Sequence, residues 1–303
     1  MNPKTKVLVT GGAGFIGSNL VDALIEKGFD VIVIDNLSTG KKEYINPRAK
    51  FYKGDIRDLK KIKPLFKEVD YVFHVAARPR VPFSIEHPDE AHTNNALGTL
   101  NVLIASKDAG VKKVIYSSSS SIYGDQKKLP LYEEMIPNPK SPYAFQKLIG
   151  EKYCQLFYEL YDLPTVCLRY FNVYGPRLSF EGSYILVLGV FLQQKMRGEP
   201  LTIEGDGEQS RDFTHVRDVI IANILALEND KVGRGEAINI GAGDNYTINK
   251  IAELIGGEVV NKPLRPGDIR HTLADNTRAK ELLGWQPTIG IKEGLEELKK
   301  LYY

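Results

Sequence analysis

Eleven residues near the start of the chain, Val7-Leu8-Val9-Thr10-Gly11-Gly12-Ala13-Gly14-Phe15-Ile16-Gly17, restrict its fold more than any other stretch. A short β-branched run ends in a glycine-rich turn, and helical spacing starts immediately after it. Gly12, Gly14 and Gly17 satisfy G-x-G-x-x-G, while Gly11, Gly14 and Gly17 satisfy the wider G-x-x-G-x-x-G. Glycines at these points permit a tight turn and let the backbone approach a pyrophosphate, whose charge is favoured at the N-terminus of the following helix. Asp35 ends the next apolar run, eighteen residues past Gly17, where a carboxylate can accept hydrogen bonds from an adenosine ribose. Such a carboxylate repels a ribose 2′-phosphate, and no arginine stands at the neighbouring Asn36 or Leu37, so the pattern predicts NAD rather than NADP.

The rest of the first half extends this unit. Apolar runs at 7–10, 31–34, 50–52, 71–75, 114–117 and 165–169 alternate with segments 18–27, 94–108 and 142–161, whose apolar residues recur at three- and four-residue spacing. That alternation predicts parallel β-α-β units, hence an α/β fold with a doubly wound parallel sheet of the Rossmann type. After about Gly175 the chain turns to longer loops rich in Gly and Pro, such as Gly205-Asp206-Gly207-Glu208 and Gly241-Ala242-Gly243-Asp244. We therefore expect a cofactor domain over 1–175, joined by a returning segment near 212–240, and a smaller mixed α/β substrate domain over 176–303.

Bulk properties narrow the partners. Of 303 residues, 40 are Lys or Arg and 38 Asp or Glu, a formal charge of +2 with no basic block that would mark a nucleic-acid or membrane surface. Small molecules and further copies of the chain are the expected partners. No apolar run approaches the roughly 18 residues that span a bilayer, and residues 1–6 lead directly into a strand pattern, so a cytoplasmic location is expected. Cys154 and Cys167 form no C-x-x-C pair and read as buried reduced thiols. The five histidines make no metal-binding pattern, and no metal is expected.

Chemistry is concentrated in a second segment, Tyr143-Ala144-Phe145-Gln146-Lys147, preceded by five consecutive serines from Ser117 to Ser121. On a helix, positions i and i+4 share a face, so a phenol and an ammonium are presented to one point. A nearby cation, together with an oxidised nicotinamide, is expected to lower the tyrosine from its usual value near ~10 so that it works as a base at neutral pH. A serine hydroxyl from the run can orient the reacting oxygen. Taken with the glycine turn, these residues point to hydride movement between a nicotinamide and a carbinol.

The ordered motifs resemble the extended short-chain dehydrogenase/reductases, and within them the NAD-dependent nucleotide-sugar epimerases and dehydratases. The resemblance spans essentially the whole chain. It rests on residues 11–17, Gly54-Asp55-Ile56, His74-Val75-Ala76-Ala77, the serine run with Ile122-Tyr123-Gly124, Pro142 to Lys147, and Tyr170-Phe171-Asn172-Val173-Tyr174-Gly175-Pro176-Arg177. Arg211-Asp212-Phe213-Thr214-His215-Val216-Arg217-Asp218 and Arg265-Pro266-Gly267-Asp268 extend it. The resemblance implies that Gly11, Gly14, Phe15, Ile16, Gly17, Asp35, Asn36, Ala76, Arg80, Asn95, Tyr143 and Lys147 hold NAD, with Asp55 and Ile56 cradling its adenine. It implies that Ser119, five residues before Gly124, is the catalytic hydroxyl beside Tyr143 and Lys147. Asn172, Arg211, Arg265 and Asp268 match positions for the nucleotide diphosphate and its ribose, Asp212 being a neighbour able to orient Arg211.

Dehydratases and decarboxylases of the family carry an acid within two positions after the catalytic hydroxyl, whereas this chain has Ser120 and Ser121. The implied reaction is therefore reversible C4 epimerisation of a UDP-hexose through a 4-keto sugar. Thr272, four residues after Asp268, matches a position bordering the sugar C2 substituent, and its small side chain leaves room for an N-acetyl group beside a plain hydroxyl. The alternatives are another nucleotide-sugar oxidoreductase or epimerase of the same family, with a dTDP- or UDP-uronate substrate, or an NAD-binding regulator without activity. A homodimer is implied, its helices 94–108 and 142–161 packing with their copies as a four-helix bundle.

Overall fold

The computed structural model describes residues 5–79, 81–180, 186–263 and 269–303. Its strands in chain order are β1 (Lys6–Thr10), β2 (Asp30–Asp35), β3 (Lys50–Lys53), β4 (Tyr71–His74), β5 (Lys113–Ser119), β6 (Thr165–Tyr170), β7 (Asn172–Tyr174), β8 (Leu201–Glu204), β9 (Ser210–His215), β10 (Arg234–Ile240), β11 (Asn245–Thr247) and β12 (Val259–Lys262). Seven of them form one parallel sheet in the order β10-β6-β5-β4-β1-β2-β3. The sheet is doubly wound: the chain runs outward from β1 through β2 to β3, then restarts on the other side of β1 with β4. That reversal leaves a crevice at the carboxyl ends of β1 and β4, where α/β sheets bind their ligands.

These strands form for a simple reason. Val7, Leu8, Val9, Val33, Ile34, Val72, Phe73, Val114, Ile115, Val166 and Leu168 are fully buried, as parallel strands covered by helices on both faces must be. One face packs against the helices Phe15–Glu26 and Val216–Glu228, the other against Gly98–Ala109 and Pro142–Tyr161. The second lobe is assembled from small pieces. A three-stranded sheet β11-β9-β7 and the pair β12-β8 surround an apolar cluster that includes Phe191, Leu201, Phe213, Ile251, Leu295 and Leu298. Asp218 pins the C-terminal segment to the main body, accepting hydrogen bonds from the Thr288 backbone (3.1 Å) and hydroxyl (2.6 Å) and from Ile289 N–H (3.1 Å).

Two features depart from simple periodicity. The chain visits β7 to β9 before Val216–Glu228 crosses back and β10 closes the edge of the large sheet beside β6. The segment read as one helix over 94–108 instead opens with a wide π turn, Thr93–Leu97, before the regular helix Gly98–Ala109. Side chains there compete for backbone carbonyls. Thr93 and Asn94 both donate to the Glu90 carbonyl (2.9 and 2.8 Å), and Thr99 donates to that of Asn95 (2.6 Å). Among the described residues, no helix is long and apolar enough to cross a membrane, and no cluster of His, Cys, Asp or Glu is arranged to hold a metal. Cys154 and Cys167 are buried and not in a disulfide.

Candidate active site

The glycine turn and the loop after β4 meet at the crevice. Gly11 has φ +74°, and a Cβ there would stand 2.7 Å from the Ala76 backbone, so neither the conformation nor the space tolerates a side chain. A Cβ on Gly17 would overlap the Gly11 carbonyl. Gly14 caps the helix Phe15–Glu26, whose first turn carries Phe15, Ile16 and Gly17 with no acidic residue to oppose an incoming anion. Asp35, buried at the end of β2, accepts from Ala13 N–H (3.0 Å) and Leu37 N–H (2.8 Å). Burial raises its pKa, and those two backbone bonds pull it back in part. A cradle without side chains, an open helix N-terminus and a buried acid at the next strand end together fit a dinucleotide.

Asn36 and Asp55 lie together, the amide donating to the carboxylate at 3.1 Å. Arg57, which no motif singled out, forks onto Asp55 at 3.0 and 2.7 Å and holds that carboxyl down at about 2. Ile56 is buried, and its carbonyl accepts from Asn101 (2.9 Å). Asn95, in the π turn, accepts from Arg78 N–H (2.8 Å) and donates to its carbonyl (3.2 Å), tying down the loop after β4. Arg80 lies outside the described residues. His74 is a satisfied core histidine, bonded to Thr10 (2.8 Å) and Thr99 (2.9 Å), and burial pushes it down to about 3.

Ser119 ends β5, and Tyr143 and Lys147 project from one face of Pro142–Tyr161, which Ser141 caps through Ala144 N–H at 3.2 Å. The Ser119 hydroxyl lies beside the Tyr143 phenol, close enough to draw its pKa down. Ser84, another residue without a sequence signal, fixes the start of the helix by accepting from Tyr143 N–H (3.0 Å). The Lys147 Nζ is drawn to the Ser117 carbonyl (2.6 Å) and stands 6.0 Å from the Tyr143 ring centroid and 4.9 Å from that of Tyr116. Burial dominates both groups: it pushes Tyr143 up to about 12, offset in part by Ser119, and brings Lys147 down to about 8. At the phenol burial outweighs Ser119, and the ammonium is turned toward a backbone carbonyl.

On the second lobe, Asn172 opens β7 and donates to the Asp212 carbonyl (3.3 Å). Thr272 is buried, its hydroxyl accepting from Asp212 N–H (3.3 Å) and its own N–H donating to the Ser210 carbonyl (3.1 Å). Arg211 donates to the carbonyls of Ser210 (3.0 Å) and Arg270 (3.3 Å). Asp212 does not orient it, and that expectation is corrected. Neighbours in a strand point to opposite faces, and the Asp212 carboxylate is taken by the N–H groups of Ala242 (2.8 Å), Gly243 (3.0 Å) and Ala274 (3.0 Å) and by the Thr214 hydroxyl (3.3 Å). Burial raises this acid to about 6. Arg265 and Asp268 lie outside the described residues.

Residues 7–241 match the model of the NAD dependent epimerase/dehydratase family. Among solved structures, UDP-glucose 4-epimerase of Thermotoga maritima, determined with UDP-glucose, is 43% identical with a TM-score of 0.94, the alignment covering 98% of this chain and 100% of that one. UDP-N-acetylglucosamine 4-epimerase of Methanobrevibacter ruminantium, in complex with UDP-N-acetylmuramic acid, is 41% identical with a TM-score of 0.92, covering 98% and 97%. UDP-glucose 4-epimerase of Mycolicibacterium smegmatis is 37% identical over 98% of both chains.

Proposed function

The chain belongs to the NAD-dependent epimerase/dehydratase family, and on that premise we propose that it interconverts C4 epimers of a UDP-hexose, UDP-glucose and UDP-galactose in the first place. The observation that carries this reading is the hydroxyl pair Ser119 and Tyr143 at the crevice, backed by Lys147 and followed by Ser120 and Ser121 rather than an acid. NAD, when bound, supplies the acceptor and donor of hydride. Gly11, Gly14, Phe15, Ile16, Gly17, Asp35, Asn36, Asp55, Ile56, Ala76 and Asn95 are the groups we assign to holding it, together with Tyr143 and Lys147.

Tyr143 removes the proton from the sugar O4 and later restores it, while Ser119 donates to the same oxygen and keeps it in line with the phenol. Tyr143 accepts that proton as a phenolate, a form that burial opposes, and Lys147 would favour it by holding a positive charge behind Ser117 and Tyr143. Asn172 and Arg211 are assigned to the diphosphate side, with Arg265 and Asp268 as further proposals. Thr272 is assigned to the sugar C2 substituent, and the similarity to the UDP-N-acetylglucosamine 4-epimerase of Methanobrevibacter ruminantium supports use of UDP-GlcNAc and UDP-GalNAc as well. The cofactor domain we assign is 1–175 with the returning segment 212–240, and the rest of 176–303 serves the substrate.

A homodimer is part of the proposal. Leu97 precedes one helix of the expected bundle, and Phe145, Leu156 and Leu160 lie on the other, Leu160 being 66% and Phe145 55% exposed, an apolar stripe that a second copy would cover. Light scattering should give twice 33.9 kDa, and a single-chain mass at micromolar concentration would reject the dimer. The function itself is tested by mixing purified protein with UDP-galactose. Formation of UDP-glucose without added cofactor supports epimerisation. Dependence on added NAD(P) at each turnover would make it a net oxidoreductase, and no conversion would leave a binding protein.

A further inference from the structure

One buried charged pair lies behind the proposed catalytic residues and takes no part in the chemistry described so far. Glu151 stands four residues after Lys147 and eight after Tyr143, on the same buried helix face. Arg169 of β6 forks onto it, Nε to Oε1 at 2.9 Å and Nη2 to Oε2 at 2.8 Å. Ser118, the residue before Ser119, donates to the same Oε1 at 2.5 Å. Nη1 of Arg169 donates to the Tyr123 hydroxyl (2.8 Å) and the Glu133 carbonyl (3.1 Å), and the Tyr123 hydroxyl donates to Asn239 Oδ1 of β10 (2.6 Å).

Stability alone does not account for such a pair. Removing two charges from water costs several kcal/mol, and a well-packed apolar pair commonly serves a core as well or better. Its connections suggest another role. The bonds join the helix that carries Tyr143 and Lys147 to the strand end that carries Ser119, and to the turn Ser120–Tyr123, whose first N–H groups Ser119 caps through Ser121 N–H (3.2 Å). The link from Ser118 to Glu151 sets how far β5 can slide along the helix. The two hydroxyls that must meet on one sugar oxygen belong to these two elements.

We propose that Glu151 and Arg169 are positioning residues for the reaction, holding Ser119 in register with Tyr143 and Lys147 through the Ser118 hydroxyl. The proposal rests on the epimerase reading above. Glu151 also supplies a negative charge one helical turn from Lys147, where the other neighbours are the Tyr143 and Tyr116 rings, neutral His74 and the thiols Cys154 and Cys167. Burial depresses the lysine, and Glu151 acts in the opposite direction. Removing that anion lowers the lysine, so the limb of the kcat profile that reports Lys147 moves to lower pH.

Two variants of the NAD-loaded enzyme separate the outcomes. Ser118→Ala deletes one hydroxyl and leaves the ion pair whole; kcat for UDP-galactose should fall about tenfold with KM within twofold and an unmoved pH profile, since a misplacement of the order of 1 Å is felt mainly in the chemical step. Glu151→Gln should lower kcat roughly a hundredfold and shift the Lys147 limb of its profile to lower pH. Should that variant not fold, Ser118→Ala decides alone. Wild-type kcat in folded Ser118→Ala overturns the proposal, as does a loss matched by an equal rise in KM. A wild-type protein that does not epimerise UDP-galactose overturns the functional reading first, and the positioning role with it.

Discussion

The two walls of the crevice are built to different standards. On the cofactor side, Ser119 ends a seven-residue strand in the middle of a parallel sheet, and Tyr143 and Lys147 share a twenty-residue helix packed along that sheet. On the other side, Asn172 begins a three-residue strand, Arg211 sits in a three-stranded patch, and Thr272 is tied in by the backbone near an isolated bridge between Ser210 and His271. One buried carboxylate, Asp212, gathers that second wall by accepting from three separate backbone N–H groups. Long elements fix the geometry that the chemistry needs, whereas short ones joined through a single acid can change their lining without disturbing the sheet. Specificity in such a molecule is expected to vary on the second wall and reactivity to fail on the first.

Four substitutions probe this contrast, in order of expected effect. Tyr143→Phe removes the only group on the first wall assigned to move the O4 proton. Epimerisation should fall by at least about 10²–10⁴-fold while bound NAD is retained, and near-normal turnover would dissolve the distinction between the walls. Asp35→Ala removes a buried acceptor of two backbone bonds at the end of β2, the residue we assign to the cofactor ribose. We expect NAD affinity to drop by about 1.5–3 kcal/mol and discrimination against NADP to relax; unchanged selectivity in a cofactor titration would remove Asp35 from the ribose.

Asp212→Asn turns an acceptor toward donors that are all N–H or O–H. At least one backbone group is left unpaired, so thermal unfolding should report roughly 1–3 kcal/mol of lost stability. An unchanged Tm would show that the second wall is gathered by something else. The finest test is Thr272→Tyr, which fills space at the assigned C2 position. Here kcat/KM on UDP-GalNAc should fall relative to UDP-galactose by about 1–2 kcal/mol, roughly tenfold or more, whereas equal losses on both sugars would take Thr272 away from C2.

Much of the first wall was readable in the linear sequence because its signals are local. Val7 to Gly17 couples a β-branched run to glycines whose spacing has one good conformational explanation, and Ser141-Pro142 followed by apolar residues at helical spacing gives the bounds of Pro142–Tyr161. What could not be read depends on partners distant in sequence. β10 resembles any apolar run until β6 is beside it, and the π turn at Thr93–Leu97 arises from three side chains competing for carbonyls. Asp212 next to Arg211 suggests an ion pair on paper, yet strand alternation turns it inward to residues thirty and sixty-two positions away. Lys147 has the spacing to influence Tyr143, and only the Ser117 carbonyl shows where its charge goes.

The late arrival of β10 also concerns how the molecule is made. By the time Tyr170 has been synthesised, six strands of the large sheet are available, but the outer edge of β6 has no partner until Arg234 to Ile240 follow. At roughly 5–20 residues per second, the sixty-four residues from Tyr170 to Arg234 take about 3–13 s to appear. During that interval an apolar strand exposes a row of unpaired N–H and C=O groups, the kind of edge along which chains add to one another. A nascent fragment ending near 175 is therefore expected to be sticky, and one reaching past 240 to be quiet, so expression yield should depend on how quickly a ribosome crosses the stretch between them.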